Sequence, residues 1–164
     1  MQNLQAHFVD ELKDIYNAEK QLVRALPRMA KAAHSRQLQT AFNDHLKKTK
    51  NHVQRLEKIF KDLGRPVAGK KCEGMTGLIR EASDLLEKDS PPDVMDAALI
   101  GAAQKVEHYE IAAYGTLRNF ARHLGDERAA DLLQETLDEE GEADKLLTRI
   151  AESGINQQAS EQPD

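Results

Sequence analysis

The chain has no Trp, a single cysteine, and only nine Gly and five Pro among its 164 residues. Aromatic residues make up 4%. Sandwiches and barrels depend on frequent turns and on aromatic and β-branched strands, so this composition argues against an all-β domain. One cysteine, Cys72, cannot close an intramolecular disulfide or supply a Cys-based zinc site. No apolar run approaches the ~18 residues of a membrane span, and no charged-then-apolar leader opens the chain. These absences predict a cytoplasmic protein with no membrane segment.

What is present points to helices. Apolar residues are 40% and charged residues 31%, with long stretches of Ala, Leu, Glu, Lys and Gln. That is the composition of an all-α chain with charged outer faces, at a length suited to one domain. The net charge of −5 is unevenly spread. Residues 1–71 hold 15 basic and 7 acidic groups, whereas residues 72–164 hold 8 and 21. Two halves of opposite sign are expected to lie side by side and neutralise each other. A basic face for nucleic acid is the weaker reading, because single-strand binding also wants stacking aromatics.

Apolar periodicity predicts four long helices. The first runs from Asn3 to Ala33 on the stripe Leu4, Phe8, Leu12, Ile15, Leu22, Leu26 and Met29, with Pro27 a candidate kink or early stop. The second runs from Gln37 to Leu63 and ends at Gly64-Arg65-Pro66. A short helix over Met75–Lys88 follows. A turn at Ser90-Pro91-Pro92-Asp93 then opens the third long helix, with Ser90 or Asp93 as N-cap, and that helix runs to His123. Gly125-Asp126 separates it from the fourth, Glu127–Glu152. The bundle is expected to span residues 1–154, with a disordered polar tail over 155–164. Two short joints and one long crossover predict two antiparallel hairpins, the ferritin-like arrangement of a four-helix bundle.

Polar residues interrupt the stripes at matched heights. Glu19 follows Ile15, and Glu110 follows Val106 with Glu107 beside it. His45, Thr49 and His52 lie among Phe42, Leu56 and Ile59, while Glu140 and Asp144 lie between Leu137 and Leu147. Helices packed side by side would converge these groups on one central layer. Buried ionised carboxylates are costly unless paired or metal-bound, so several must protonate or a cation must sit among them. Carboxylates with imidazole suit iron, manganese or zinc. Taken singly, each Glu could pair with a neighbouring Lys or Arg, and each His could be a hydrogen-bonded core residue. The helices also repeat, Ile15–Glu19 lining up with Val106–Glu110, and the second long helix with the fourth.

The stretches Asp14-Ile-Tyr-Asn-Ala-Glu-Lys-Gln-Leu22, Ala25-Leu-Pro27, His45-Leu46 with His52-Val53, Ala102–Gly115 and Leu137-Asp-Glu-Glu140 with Asp144 resemble the YciE/YciF family of bacterial ferritin-like proteins. The resemblance covers residues 4–152, and the run Val106-Glu-His-Tyr-Glu-Ile-Ala-Ala-Tyr114 is its most specific part. It implies a ferritin-like fold, homodimers and an association with stress responses. The di-iron pattern takes one Glu from each of two helices and Glu-x-x-His from each of the other two. Glu19 and Glu110 match the single glutamates. The second long helix offers Thr49-x-x-His52, without the Glu, and the fourth offers Glu140-x-x-Ala143, without the His. Asp144, His45 and Glu107 are the available substitutes. His45 and His52 sit ~10.5 Å apart along the helix, too far for one ion to take both easily.

The expected function is a metal-binding stress protein holding iron or manganese, one ion or two. Its chemistry would be oxidation of Fe(II) or disposal of peroxide. The alternative is a metal-free helical dimer acting as a scaffold or binding protein. A histidine phosphotransfer bundle needs an exposed His beside lysines, and His45 faces the stripe instead. Lys70-Lys71-Cys72 puts positive charge near the thiol, which would lower its pKa; the plainer reading is a loop thiol with no role. Tyr16, Tyr109 and Tyr114 are read as core.

Overall fold

Three of the four long helices open on a side-chain cap that the sequence supplies. The structure, a computed structural model, describes residues 3–162. Asn3 accepts the Ala6 amide at 2.8 Å and opens α1 (Leu4–Ala32). Ser35 accepts the Leu38 amide at 3.4 Å and opens α2 (Arg36–Asp62). Cys72 takes the same role, through its sulfur, for α3 (Glu73–Leu86). Asp126 accepts the Ala129 amide at 2.9 Å and opens α5 (Glu127–Ile150). Between them, α4 (Pro92–His123) has no side-chain cap. Neither Ser90 nor Asp93 serves, because Pro91 holds the N-cap position and Pro92, with its pre-set φ, begins the first turn. Gly64 and Gly125 adopt φ of +61° and +77°, the left-handed turn that frees the following amides. Those amides, of Arg65 and Asp126, reach back to the Phe60 and Ala121 carbonyls at 2.9 Å.

Pro27 does not end α1. Its missing amide removes one helical hydrogen bond, but Leu26, Met29 and Ala30 around it are all buried and hold the last turns against the core. The four long helices form a ring, α1 against α2, α2 against α5, α5 against α4 and α4 against α1, with α3 packed on α4 and α1. Neighbours run antiparallel. His7 stacks on Phe120 and the His34 amide meets Asp96 across the α1–α4 seam. Across α2–α5, Asp62 pairs with Arg128, Arg55 with Glu135 and Glu139, and Lys48 with Glu142. The basic half of the chain and the acidic half therefore meet along this seam, as the charge pattern predicts. Exposed pairs of this kind contribute little each and serve mainly to set register.

The apolar core is one connected cluster that runs along the bundle on both sides of its middle. Phe8, Leu12, Ile15, Leu56, Ile59, Phe60, Leu117 and Leu133 fill one end, and Leu22, Leu26, Leu38, Phe42, Leu99, Leu147 and Ile150 the other. The polar layer lies between them.

The end of the chain departs from expectation. A disordered tail is predicted from Ile155, yet the helical path continues through a widened turn, Ala151–Ile155, into α6 (Asn156–Ser160), which packs on α4. Gly154, at φ +137°, redirects the chain so that Ile155 is buried. One apolar residue after a glycine turn outweighs the polar composition around it. Pro163 and Asp164 lie outside the described residues.

Asp96 joins the two hairpins. Its buried carboxylate accepts the amides of His34 and Ser35 at 2.8 and 2.7 Å, satisfying the α1–α2 turn from α4. Charge-assisted bonds of this type are worth about 1.5–3 kcal/mol each, and the loss leaves two amides unpaired. Asp96→Ala is expected to destabilise the protein by about 2–4 kcal/mol in urea denaturation, and Asp96→Asn by less.

Candidate metal centre

The four helices converge the interrupting residues into one buried layer. Glu19, Thr49, His52, Glu110 and Glu140 are wholly inaccessible to solvent, and His45 and Glu107 nearly so. Donor atoms of these residues form two groups that could each hold a cation. The first is His45, Glu107, Glu110 and Glu140, and the second is Glu19, His52 and Glu140, with the atoms of each group within 4.8 Å of one another. Donors around an ion bound at ~2.1–2.2 Å lie about 3.5–4.3 Å apart, so closing either group on a cation asks for modest side-chain shifts. Glu140 belongs to both groups. The two histidines belong to different ones, their rings 6.3 Å apart, in keeping with their spacing along α2.

The seven sequence candidates do not all converge. Asp144 lies outside both groups: it accepts from Gln104 at 3.1 Å and faces His108 at 3.3 Å. Its position four residues from Glu140 turns it toward α4's partly exposed side. Thr49 stands where the di-iron pattern has a Glu, but its hydroxyl donates to the His45 carbonyl at 2.9 Å.

The layer contains charge that the fold only partly balances. His52 Nδ1 lies 2.9 Å from Glu140 and 3.3 Å from Glu19, while its Nε2 lies 2.7 Å from Glu139. Glu139 in turn is held by both guanidinium nitrogens of Arg55, at 2.7 and 2.9 Å. This outer chain fixes the imidazole's orientation and leaves Nδ1 turned inward, the arrangement that supports metal-ligating histidines. Tyr114 donates its hydroxyl to Glu19. Reading Tyr114 as core is right about its burial but misses that contact. Glu139 and Arg55 were also missed, because both sit on polar helix faces whose spacing resembles any solvated surface.

Burial sets most of the titration behaviour. It drives Glu107 and Glu110 well above the usual carboxylate range, and neighbouring Glu140 and Glu19 push in the same direction. Burial also raises Glu19, against the opposing pull of His52. At Glu140 the burial effect is overcome by the hydrogen bond and charge of the histidines, which hold it below the usual range. Burial depresses His45. At His52 burial acts the same way but loses to Glu140 and Glu19, which bring it up to about 10. Arg55 holds Glu139 down at about 2. Among the described residues, ten buried side-chain N and O atoms lack a partner in good hydrogen-bond geometry, and nine of them belong to Glu19, His45, His52, Glu107, Glu110 and Glu140; His52 Nδ1 and Glu140, 2.9 Å apart, meet as an ion pair that a proton must complete. Natural interiors rarely tolerate such orphans in a cluster.

Cys72 lies outside this layer. Its thiol, buried, sits 3.0 Å from the Tyr109 hydroxyl, which donates to Asp14. Burial raises its pKa, opposite to the lowering expected of flanking lysines. Those lysines turn away, Lys70 to Asp10 and Lys71 to Glu73.

Comparison with known proteins matches residues 3–160 to the family model described as Domain of unknown function (DUF892). Protein YciF of Escherichia coli (strain K12) is 44% identical over 160 residues, 97% of this chain and 96% of its own length. The crystal structure of that E. coli stress protein superposes with a TM-score of 0.92 over 95% of this chain and 99% of its own. YcfI of Rhodopseudomonas palustris, 39% identical, gives 0.88 over 90% and 94%. A Xanthomonas campestris protein at 20% identity shares the fold, with a TM-score of 0.74.

The titration pattern fixes the sign of a pH effect in metal-free protein. His52 is raised on folding, so its contribution is complete below its unfolded pKa near 6.5 and is lost as pH rises toward 10. Glu107 and Glu110, also raised, lose theirs in the same direction. In chelator, stability measured by urea denaturation should fall steadily from pH 7 to pH 9.5. A stability that rises over that interval contradicts the assignment.

Proposed function

This chain belongs to the DUF892 family, and within that family we propose that its central layer binds one or two divalent cations, iron or manganese. The observation that carries the reading is the concentration of partnerless buried donor atoms in one carboxylate-rich layer. Burial and neighbouring carboxylates favour the protonated forms of Glu107 and Glu110 in the metal-free layer, but each proton satisfies one oxygen, whereas a cation satisfies several donors together. The donors are oxygen with imidazole, which suits iron and manganese rather than a soft thiolate metal.

Each residue has a role in this proposal. Glu140, shared by both groups, would bridge two ions. Glu19 and His52 would complete one position, and His45, Glu107 and Glu110 the other. His45 and Glu107 would thus stand in for the Glu and His missing from the di-iron pattern. Glu139 and Arg55 would hold the His52 ring while its Nδ1 gives up a proton to become a ligand. Tyr114 would orient the Glu19 carboxylate. Iron or manganese bound there would supply oxidation of Fe(II) or turnover of peroxide. E. coli YciF is described as a stress protein, and we extend that role to this chain, as a cytoplasmic homodimer of ferritin-like type.

Elemental analysis of protein purified without chelator, after iron or manganese supplementation, tests the proposal. We expect at least one metal per chain, lost in Glu19→Ala and Glu140→Ala and retained in Cys72→Ser. Metal below about 0.2 per chain in the parent protein would instead favour a metal-free scaffold.

A further inference from the structure

A cleft of about 340 Å³ opens between α2 and α5 and leads down to the polar layer. Its size falls at the lower end of the ~300–1,000 Å³ typical of small-molecule sites. Its walls are apolar, formed by Phe42, Ala143, Leu146 and Leu147. Its deep end is formed by His45 and Glu107. His45 is only 7% exposed; its Nε2 faces Glu107 at 3.4 Å and Glu140 at 3.7 Å without hydrogen-bond geometry, its Nδ1 has no partner, and Glu107, 3% exposed, has a partnerless Oε2. Ala143 lines the cleft, at the position that aligns with His52 of the other hairpin.

The rim is charged and not neutral. Asp44 pairs with Lys47 at 2.8 Å and Glu142 with Lys48 at 3.5 Å. Lys145 and Arg149 also line the cleft, one helical turn apart on α5, with no ion-pair partner among the described residues. A neighbouring depression that shares Ala41, Asp44 and Leu146 with the cleft is lined by another cation, Arg36. A ligand that fits therefore carries negative charge at one end and an apolar body behind it.

We propose that this cleft binds an amphipathic small-molecule acid, a fatty or aromatic carboxylate. Its acid group sits at Lys145 and Arg149, its apolar body lies along Phe42, Leu146 and Leu147, and its far end rests against His45. This inference goes beyond the metal reading and stands on the metal-free protein, since the cleft and its charges do not depend on a cation.

Calorimetric titration in chelator, with octanoate, octanol and octylamine as probes, tests it. Octanoate is expected to bind saturably, octanol at least tenfold more weakly, and octylamine not at all. The double variant Lys145→Glu/Arg149→Glu should weaken octanoate at least tenfold; both residues are exposed, so the fold is expected to survive. Ala143→Leu, which fills the cleft, should abolish binding, and circular dichroism would show whether that variant is folded. Absence of saturable octanoate binding, equal binding of octylamine, or indifference to the charge reversal would each overturn the proposal. So would light scattering in which the double variant dissociates an oligomer while octanoate fails to bind, because the groove would then be covered by a second copy of the chain. Metal content is read separately, so octanoate binding without metal, or metal without octanoate, separates the two claims.

Discussion

Burial of acidic side chains without enough internal counter-charge is the constraint on which this bundle depends. Four glutamates and two histidines are buried at the middle of the apolar core. Two like charges 4 Å apart repel by roughly 4 kcal/mol at an effective dielectric near 20, and each buried carboxylate adds several kcal/mol of desolvation. For a fold whose whole stability is on the order of 5–15 kcal/mol, four ionised glutamates in one layer are not sustainable. Something must neutralise them. His52 does so for Glu140, protons do so for Glu107 and Glu110, and a cation would replace those protons.

The architecture serves that layer. Antiparallel neighbours bring the midpoints of all four long helices to one height, so each contributes at its centre, where fraying is least. Asp96 fastens the α1–α2 turn to α4, and the ion pairs of the α2–α5 seam hold register on the other side. Arg55 and Glu139 extend the seam inward to His52, so a partly exposed electrostatic contact becomes the support of a buried histidine. The two hairpins are related but not identical. Thr49 and Ala143 take the places of a carboxylate and an imidazole, and the donors shift along α2 and α4 to His45 and Glu107. Ala143 also lines the cleft that leads down to the layer.

Much of this was legible in the sequence, and the reason is periodicity. Carboxylates that interrupt apolar stripes at one height on several helices are expected to turn inward together, and Glu19, Glu110 and Glu140 are buried as that pattern predicts, on the helices that periodicity marks. His45 and Glu107 were visible only as substitutes, since spacing along one helix does not say which residue of another it meets. Asp144 illustrates the same limit: one residue past a correct position, it faces Gln104 and His108 instead. Glu139 and Arg55 belong to faces that look solvated, and only the α2–α5 contact gives them a role. At the tail, composition does not register the single glycine turn that buries Ile155. Cys72 was misjudged because charge adjacent in sequence is not charge adjacent in space.

Thermal melts of the parent protein and Glu110→Gln, in chelator and with Fe(II) or Mn(II), test the central claim most directly. Glu110 has both oxygens buried and partnerless, and glutamine keeps its volume while removing its charge. In chelator the variant is expected to be more stable by about 1–2 kcal/mol, a rise of roughly 2–8 °C for a domain of this size. Metal should raise the parent's melting temperature more than the variant's. A variant that melts lower than the parent in chelator, with neither protein shifted by metal, would make Glu110 an ordinary hydrogen-bonding core residue and contradict the account.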